Sequence, residues 1–190
     1  MYVFIEIVSY RRWATTRTLF FLTGLLAMEC IGVLWSLVIW LAHLMRPDEA
    51  FYLERNYRLQ DWWGGQIARL GINLYRLKIH VESRFQPTRH PFVFFIRHTS
   101  FVDTFLSLVL VPSPNHIRLR YALKQELLWV PCLDIVGNRI PNAFVTRSGQ
   151  DSVGDLNLVA NLGSDLGDHA GIVLYPEGTR YSSDKLTCPR

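Results

Sequence analysis

The stretch from Leu19 to Met45 constrains this chain more than any other. It contains one charged residue, Glu29, in an otherwise apolar run. A helix needs about 20 apolar residues to cross a bilayer, so the length suffices. A removable leader fits less well, because the run is longer than the usual hydrophobic region and no small-residue cleavage site follows it. A carboxylate at mid-membrane costs roughly 2.5–3.5 kcal/mol on insertion scales. Glu29 is therefore expected to be protonated, paired with another helix, or placed at a bend. One spanning helix is the favoured reading; two shorter helices dipping into one leaflet would put Glu29 at the bend. Arginines flank both ends (Arg11, Arg12 and Arg17 before, Arg46, Arg55 and Arg58 after), so the charge rule for orientation decides nothing.

Residues 51–76 mix aromatic, apolar and basic positions, among them Tyr52, Trp62, Trp63, Ile67, Leu70, Arg55, Arg58, Arg69 and Arg76. They read as an interfacial helix with a break near Gly64 and Gly65, and equally as an ordinary helix packed on the domain. Hydrophobic residues make up 49% of the chain and there are 6 tryptophans, which suits a membrane–water interface. The net charge of +4 weakly favours anionic partners such as lipid headgroups, an acidic carrier protein or a phosphorylated substrate. Cys30, Cys132 and Cys188 are far apart, odd in number and outside any zinc-like spacing. They are expected to be buried or free thiols in a reducing compartment.

After residue 76 the pattern changes. Leu77–Val81 alternates as a strand does, Pro91–Ile96 reads as a buried strand, and Thr104–Val111 as a helix stopped by Pro112 and Pro114. Strands are expected at 117–123, 143–145 and 171–175, a helix end at Leu127–Pro131, and a helix over Gln150–Leu166. Alternating strands and helices predict an α/β domain with a mixed, mostly parallel sheet flanked by helices. The expected organisation is a membrane anchor at 1–50, an interfacial helix at 51–76 and a catalytic domain at 77–190.

Three short blocks carry chemistry. His98 and Asp103 stand five residues apart at the exit of the strand ending at Ile96. On one continuous helix that spacing turns them about 140° from each other. They can meet only if His98 precedes the helix and Asp103 lies in its first turns. Asp103 would then accept the imidazole Nδ1–H and leave Nε2 free as a general base. The same residues also read as a helix start, with Ser100 as cap. In the second block, Lys124 and Arg147 are candidate phosphate contacts. In the third, Glu177, Gly178, Thr179 and Arg180 follow a strand through Pro176. Gly178 permits close backbone approach, and Arg180 offers a planar fork to phosphate.

Together and in this order, the blocks resemble the glycerolipid acyltransferases, specifically the 1-acylglycerol-3-phosphate acyltransferases, over roughly residues 75–187. The matching positions are His98 and Asp103; Lys124, Glu126, Leu127, Pro131, Gly137 and the Phe144-to-Arg147 pattern; and Pro176 to Arg180. The chain departs from the family's usual pattern with Arg97, where asparagine is frequent, and Asn142, where glycine is frequent. The family's further apolar strand after the third block has no counterpart before Arg190, so the resemblance implies a domain incomplete at its C-terminus.

The resemblance implies acyl transfer from acyl-CoA or acyl-carrier protein to the hydroxyl of a lysophospholipid, with 1-acylglycerol 3-phosphate giving phosphatidic acid. His98 is the implied base and Asp103 its partner. Lys124, Arg147 and Glu177 to Arg180 are the implied substrate site. No metal and no cofactor beyond the acyl thioester is expected. The expected partners are membrane lipid, the lysophospholipid acceptor and the acyl donor, not nucleic acid. The catalytic domain is expected on the cytoplasmic side of a membrane. Two other classes stand beside this one. A lipid ester or thioester hydrolase would use the same histidine, although no G-x-S-x-G elbow occurs. A non-catalytic or truncated membrane protein would use none of it.

Overall fold

The computed structural model describes residues 3–6, 13–81, 91–96, 107–108, 110–111, 117–146, 152–168 and 170–175. The chain forms two compact units. One comprises residues 1–87 and 128–140, the other 88–127 and 141–190.

The first unit is built on two long helices. Helix α1 (Ala14–Met45) runs without interruption for 32 residues, about 48 Å at 1.5 Å per residue. It passes straight through Glu29, so no bend lies there. Thr18 and Thr23 return their hydroxyls to the carbonyls of Ala14 and Leu19, each at 2.9 Å, which satisfies polar groups on an apolar surface. Pro47 follows the helix end. Asp48 then caps helix α2 (Glu49–Tyr75) by accepting the Phe51 N–H at 3.0 Å. Helix α2 ends at Arg76, whose left-handed backbone (φ 51°) sends its N–H back to the Ile72 carbonyl.

The two helices lie antiparallel along their length. Phe21 meets Tyr75, Trp35 meets Trp62, and His43 stacks on Tyr52. The expected break at Gly64 and Gly65 is not present. Both glycines are buried inside a continuous α2. Each costs a helix about 1 kcal/mol relative to alanine. The apolar stripe of Tyr57, Leu59, Trp63, Ile67 and Ala68, buried against its neighbours, outweighs that cost.

Strands β1 (Val3–Glu6) and β2 (Lys78–Val81) precede α1 and follow α2. They pair antiparallel, from Val3 opposite Val81 to Glu6 opposite Lys78, across the open end of the helix pair. The short helix α3 (Pro131–Gly137) completes this unit. Pro131 occupies its first turn, where a missing N–H costs nothing. The segment expected to end a helix at Pro131 is a 3₁₀ turn (Gln125–Trp129), and Pro131 begins a new helix.

The second unit is the α/β part. Strands β3 (Phe92–Phe95), β4 (Arg118–Lys124), β5 (Ala143–Val145) and β6 (Ala170–Leu174) form a sheet in the order β3-β6-β4-β5, with every pairing parallel. Helix α4 (Ser152–Asn161) connects β5 to β6 and is shorter than the expected Gln150–Leu166. It gives way to a turn. There the Arg120 guanidinium donates to the carbonyls of Leu162, Ser164 and Asp165, which collects acceptors the ended helix leaves unpaired.

Ala122, Ala143, Leu162 and Ile172 form a buried core, with Val159, Leu166 and Leu174 packed on it. Leu119 and Val173 are wholly buried in the two inner strands, each worth about 1.5–3 kcal/mol on burial. β3 differs from the expected buried strand. Val93 and Phe95 are 51% and 69% exposed. The strand lies at the end of the sheet and pairs only with β6 among the described residues, so its side chains alternate between covered and open faces.

Candidate active site

All four strands of the sheet point the same way, so their C-terminal ends share one edge. Phe95 at the end of β3 stands opposite Leu174 at the end of β6, and the Ile96 N–H donates to the Leu174 carbonyl at 3.0 Å. Lys124, the last residue of β4, stands opposite Val145, the last of β5. In open α/β sheets, ligands bind outside this edge.

Each motif block issues from it. His98 follows Ile96 by two positions, Arg147 follows Val145 by two, and Pro176 to Arg180 directly follow Tyr175. Lys124 is the one predicted site residue among the described residues, and it is exposed. His98, Asp103, Arg147, Glu177, Gly178, Thr179 and Arg180 lie outside them. The structure thus fixes where the chain leaves the sheet toward each motif.

Several contacts next to these exits were not legible beforehand. Thr146, one residue before Arg147, gives its backbone N–H to Asp155 Oδ1 at 3.2 Å, and its hydroxyl lies 3.4 and 3.5 Å from the two carboxylate oxygens. Asp155 belongs to the first turn of α4, where a negative side chain is also favoured by the helix dipole. It ties the exit of β5 to the start of the next helix.

Asn142, the departure from the family pattern, has a structural use. Its Oδ1 accepts the backbone N–H of Tyr121 at 2.8 Å, fastening the approach to β5 against β4. The Tyr121 hydroxyl lies 3.4 Å from the hydroxyl of Ser107, which has helical backbone four residues after Asp103. These pairs join residues 9, 21 and 14 positions apart. Periodicity cannot reveal such partners. Only the Asp155 position near a helix start carried a sequence signal.

Compared with known proteins, residues 76–190 match the family model described as Acyltransferase. The match begins where α2 ends, and takes in β2, the whole parallel sheet and all three motif blocks. No solved structure matches the chain.

Proposed function

The chain belongs to the acyltransferase family, and from that premise we propose that it moves an acyl group from acyl-CoA or acyl-carrier protein to the free hydroxyl of 1-acylglycerol 3-phosphate. The observation that carries this reading is the shared edge of four parallel strands, from which all three motif blocks leave.

An alcohol is a weak nucleophile at neutral pH. His98 Nε2 takes the hydroxyl proton as the oxygen attacks the thioester carbonyl, and Asp103 holds the ring and stabilises the imidazolium. The tetrahedral intermediate then expels the thiolate, which recovers the proton from His98. The ester is formed without an acyl-enzyme. Arg180, with Lys124 and Arg147, holds the acceptor phosphate, while Glu177, Gly178 and Thr179 shape the loop around it. Positioning of this kind supplies much of the rate enhancement in a two-substrate reaction.

α1 is long and apolar enough to cross a membrane. Its buried positions are Glu29, Gly32, Ser36 and Ile39, whereas its outward face carries Leu19, Phe20, Leu26, Leu34, Trp35, Val38 and Leu41. That arrangement inverts a soluble helix and suits hydrocarbon. The packing favours insertion into one leaflet. β1 pairs with β2, so both outer ends of the α1–α2 pair lie on one side. A spanning α1 would take α2 across with it, along with the exposed Arg55, Arg58 and Arg69, each at about 2.5–3.5 kcal/mol. The domain then works on lipid at the cytoplasmic face, where acyl thioesters are met.

The test is turnover of a radiolabelled acyl thioester in detergent by the wild type and His98→Ala, with and without the acceptor. Phosphatidic acid formed only with the acceptor, and a loss of about 10²–10⁴-fold in the variant, is the expected result. Free fatty acid released equally without acceptor would make the protein a hydrolase. Near-normal turnover by folded His98→Ala would remove the base from the scheme.

A further inference from the structure

Glu29 is buried, and its two carboxylate oxygens serve two different elements. Oε1 accepts the indole N–H of Trp63 on α2 at 2.9 Å, and Oε2 accepts the backbone N–H of Cys132 in the first turn of α3 at 2.9 Å. The residue that should cap α3 is Val130, which has no side-chain acceptor. Glu29 supplies from a distant helix what serine or aspartate normally supplies locally, and puts an acidic group at the positive end of α3.

The other end of α3 is held from the same helix. Arg139 Nη1 donates to both the carbonyl and the hydroxyl oxygen of Ser36, each at 2.9 Å. Both pairs, Glu29 with Cys132 and Ser36 with Arg139, join residues 103 positions apart. α1 and the α3 segment therefore run in step across this contact.

α3 is the crossover between β4 and β5. Its chain comes from Lys124 and goes on to Arg147. We propose that Glu29 is a positioning residue for the acceptor site: by capping α3 it fixes the crossover that joins the two phosphate-binding segments. This rests on the reading of Lys124 and Arg147 given above. Phosphate contacts made in both ground and transition states appear in KM rather than kcat.

The experiment uses the full chain in mixed micelles, with Glu29→Gln and Ser36→Ala. Glutamine keeps the size but turns an NH2 toward one of the two N–H donors. Loss of a hydrogen bond to a charged group is typically worth about tenfold or more in an equilibrium. Glu29→Gln should therefore raise KM for lysophosphatidate about tenfold, while KM for acyl-CoA and kcat stay within about twofold. Ser36→Ala, which leaves the backbone carbonyl to Arg139, should give a smaller rise in the same KM. Amide hydrogen exchange over residues 131–139 should quicken in both, with residues 170–174 unchanged.

An unchanged acceptor KM beside faster α3 exchange would overturn the proposal and leave a cap with a purely structural role. So would a parallel loss in kcat and both KM values. If Glu29→Gln does not fold, Ser36→Ala decides by the same KM. A wild type without acyl transfer would overturn the functional reading and this proposal with it, while unchanged α3 exchange in Glu29→Gln would overturn the cap alone.

Discussion

Gly32 on α1 lies so close to Cys132 on α3 that a Cβ built on the glycine would fall 2.5 Å from the sulfur and 3.2 Å from the Trp63 ring. Gly32→Ala is therefore expected to destabilise the first unit, although alanine is ordinarily the better helix residue by about 1 kcal/mol. Gly65, inside α2, has nothing within 4 Å of such a Cβ. Gly65→Ala should stabilise by about 0.5–1 kcal/mol. Thermal unfolding in one detergent checks the opposite signs; equal shifts in one direction would contradict the packing.

Asp61 has a carboxylate oxygen buried without a hydrogen-bond partner. Burial, and then the negative charge of Glu54, push its pKa from 3.8 up to about 7. Between those values the native state binds more protons than the unfolded chain. Its contribution to stability is complete below about pH 4, falls as pH rises, and is gone above about pH 7. Asp61→Asn should leave Tm little changed at pH 4, raise it at pH 8 and flatten the slope between. A slope unchanged by the substitution would assign it to another group.

Cysteine labelling should separate two thiols. Burial and then Glu29 raise the Cys132 thiol to about 12, so it carries no thiolate at working pH. Cys30 is exposed on α1. In detergent, a maleimide should modify Cys30 and spare Cys132, as read by peptide mass. In native membranes Cys30 should be shielded from a charged maleimide. Full labelling there would place that face of α1 in water.

Arg180→Lys tests the proposed phosphate contact. The charge remains and the planar fork is lost. KM for the phosphorylated acceptor is expected to rise about tenfold, with the acyl-donor KM nearly constant. Steady-state kinetics with each substrate varied in turn would show it, and equal effects on both would point to a structural role for Arg180.

The sequence by itself determined the local and periodic features. The apolar run made α1 a helix. Alternation and β-branched runs placed β2, β4, β5 and β6, and the order of the blocks around His98, Lys124 and Arg180 pointed to the acyltransferase family. These depend on neighbours a few residues away, where side-chain period and turn chemistry act.

Tertiary structure decided what depends on distant partners. Glu29 could have been protonated, paired or bent, and packing chose pairing because Trp63 and Cys132 bring two N–H donors to its two oxygens. Gly64 and Gly65 could have broken α2, and burial against the first unit held it straight. The β1–β2 pair and the order β3-β6-β4-β5 join segments far apart in the chain. No local preference encodes such pairings. They form because they satisfy backbone groups and bury apolar faces together.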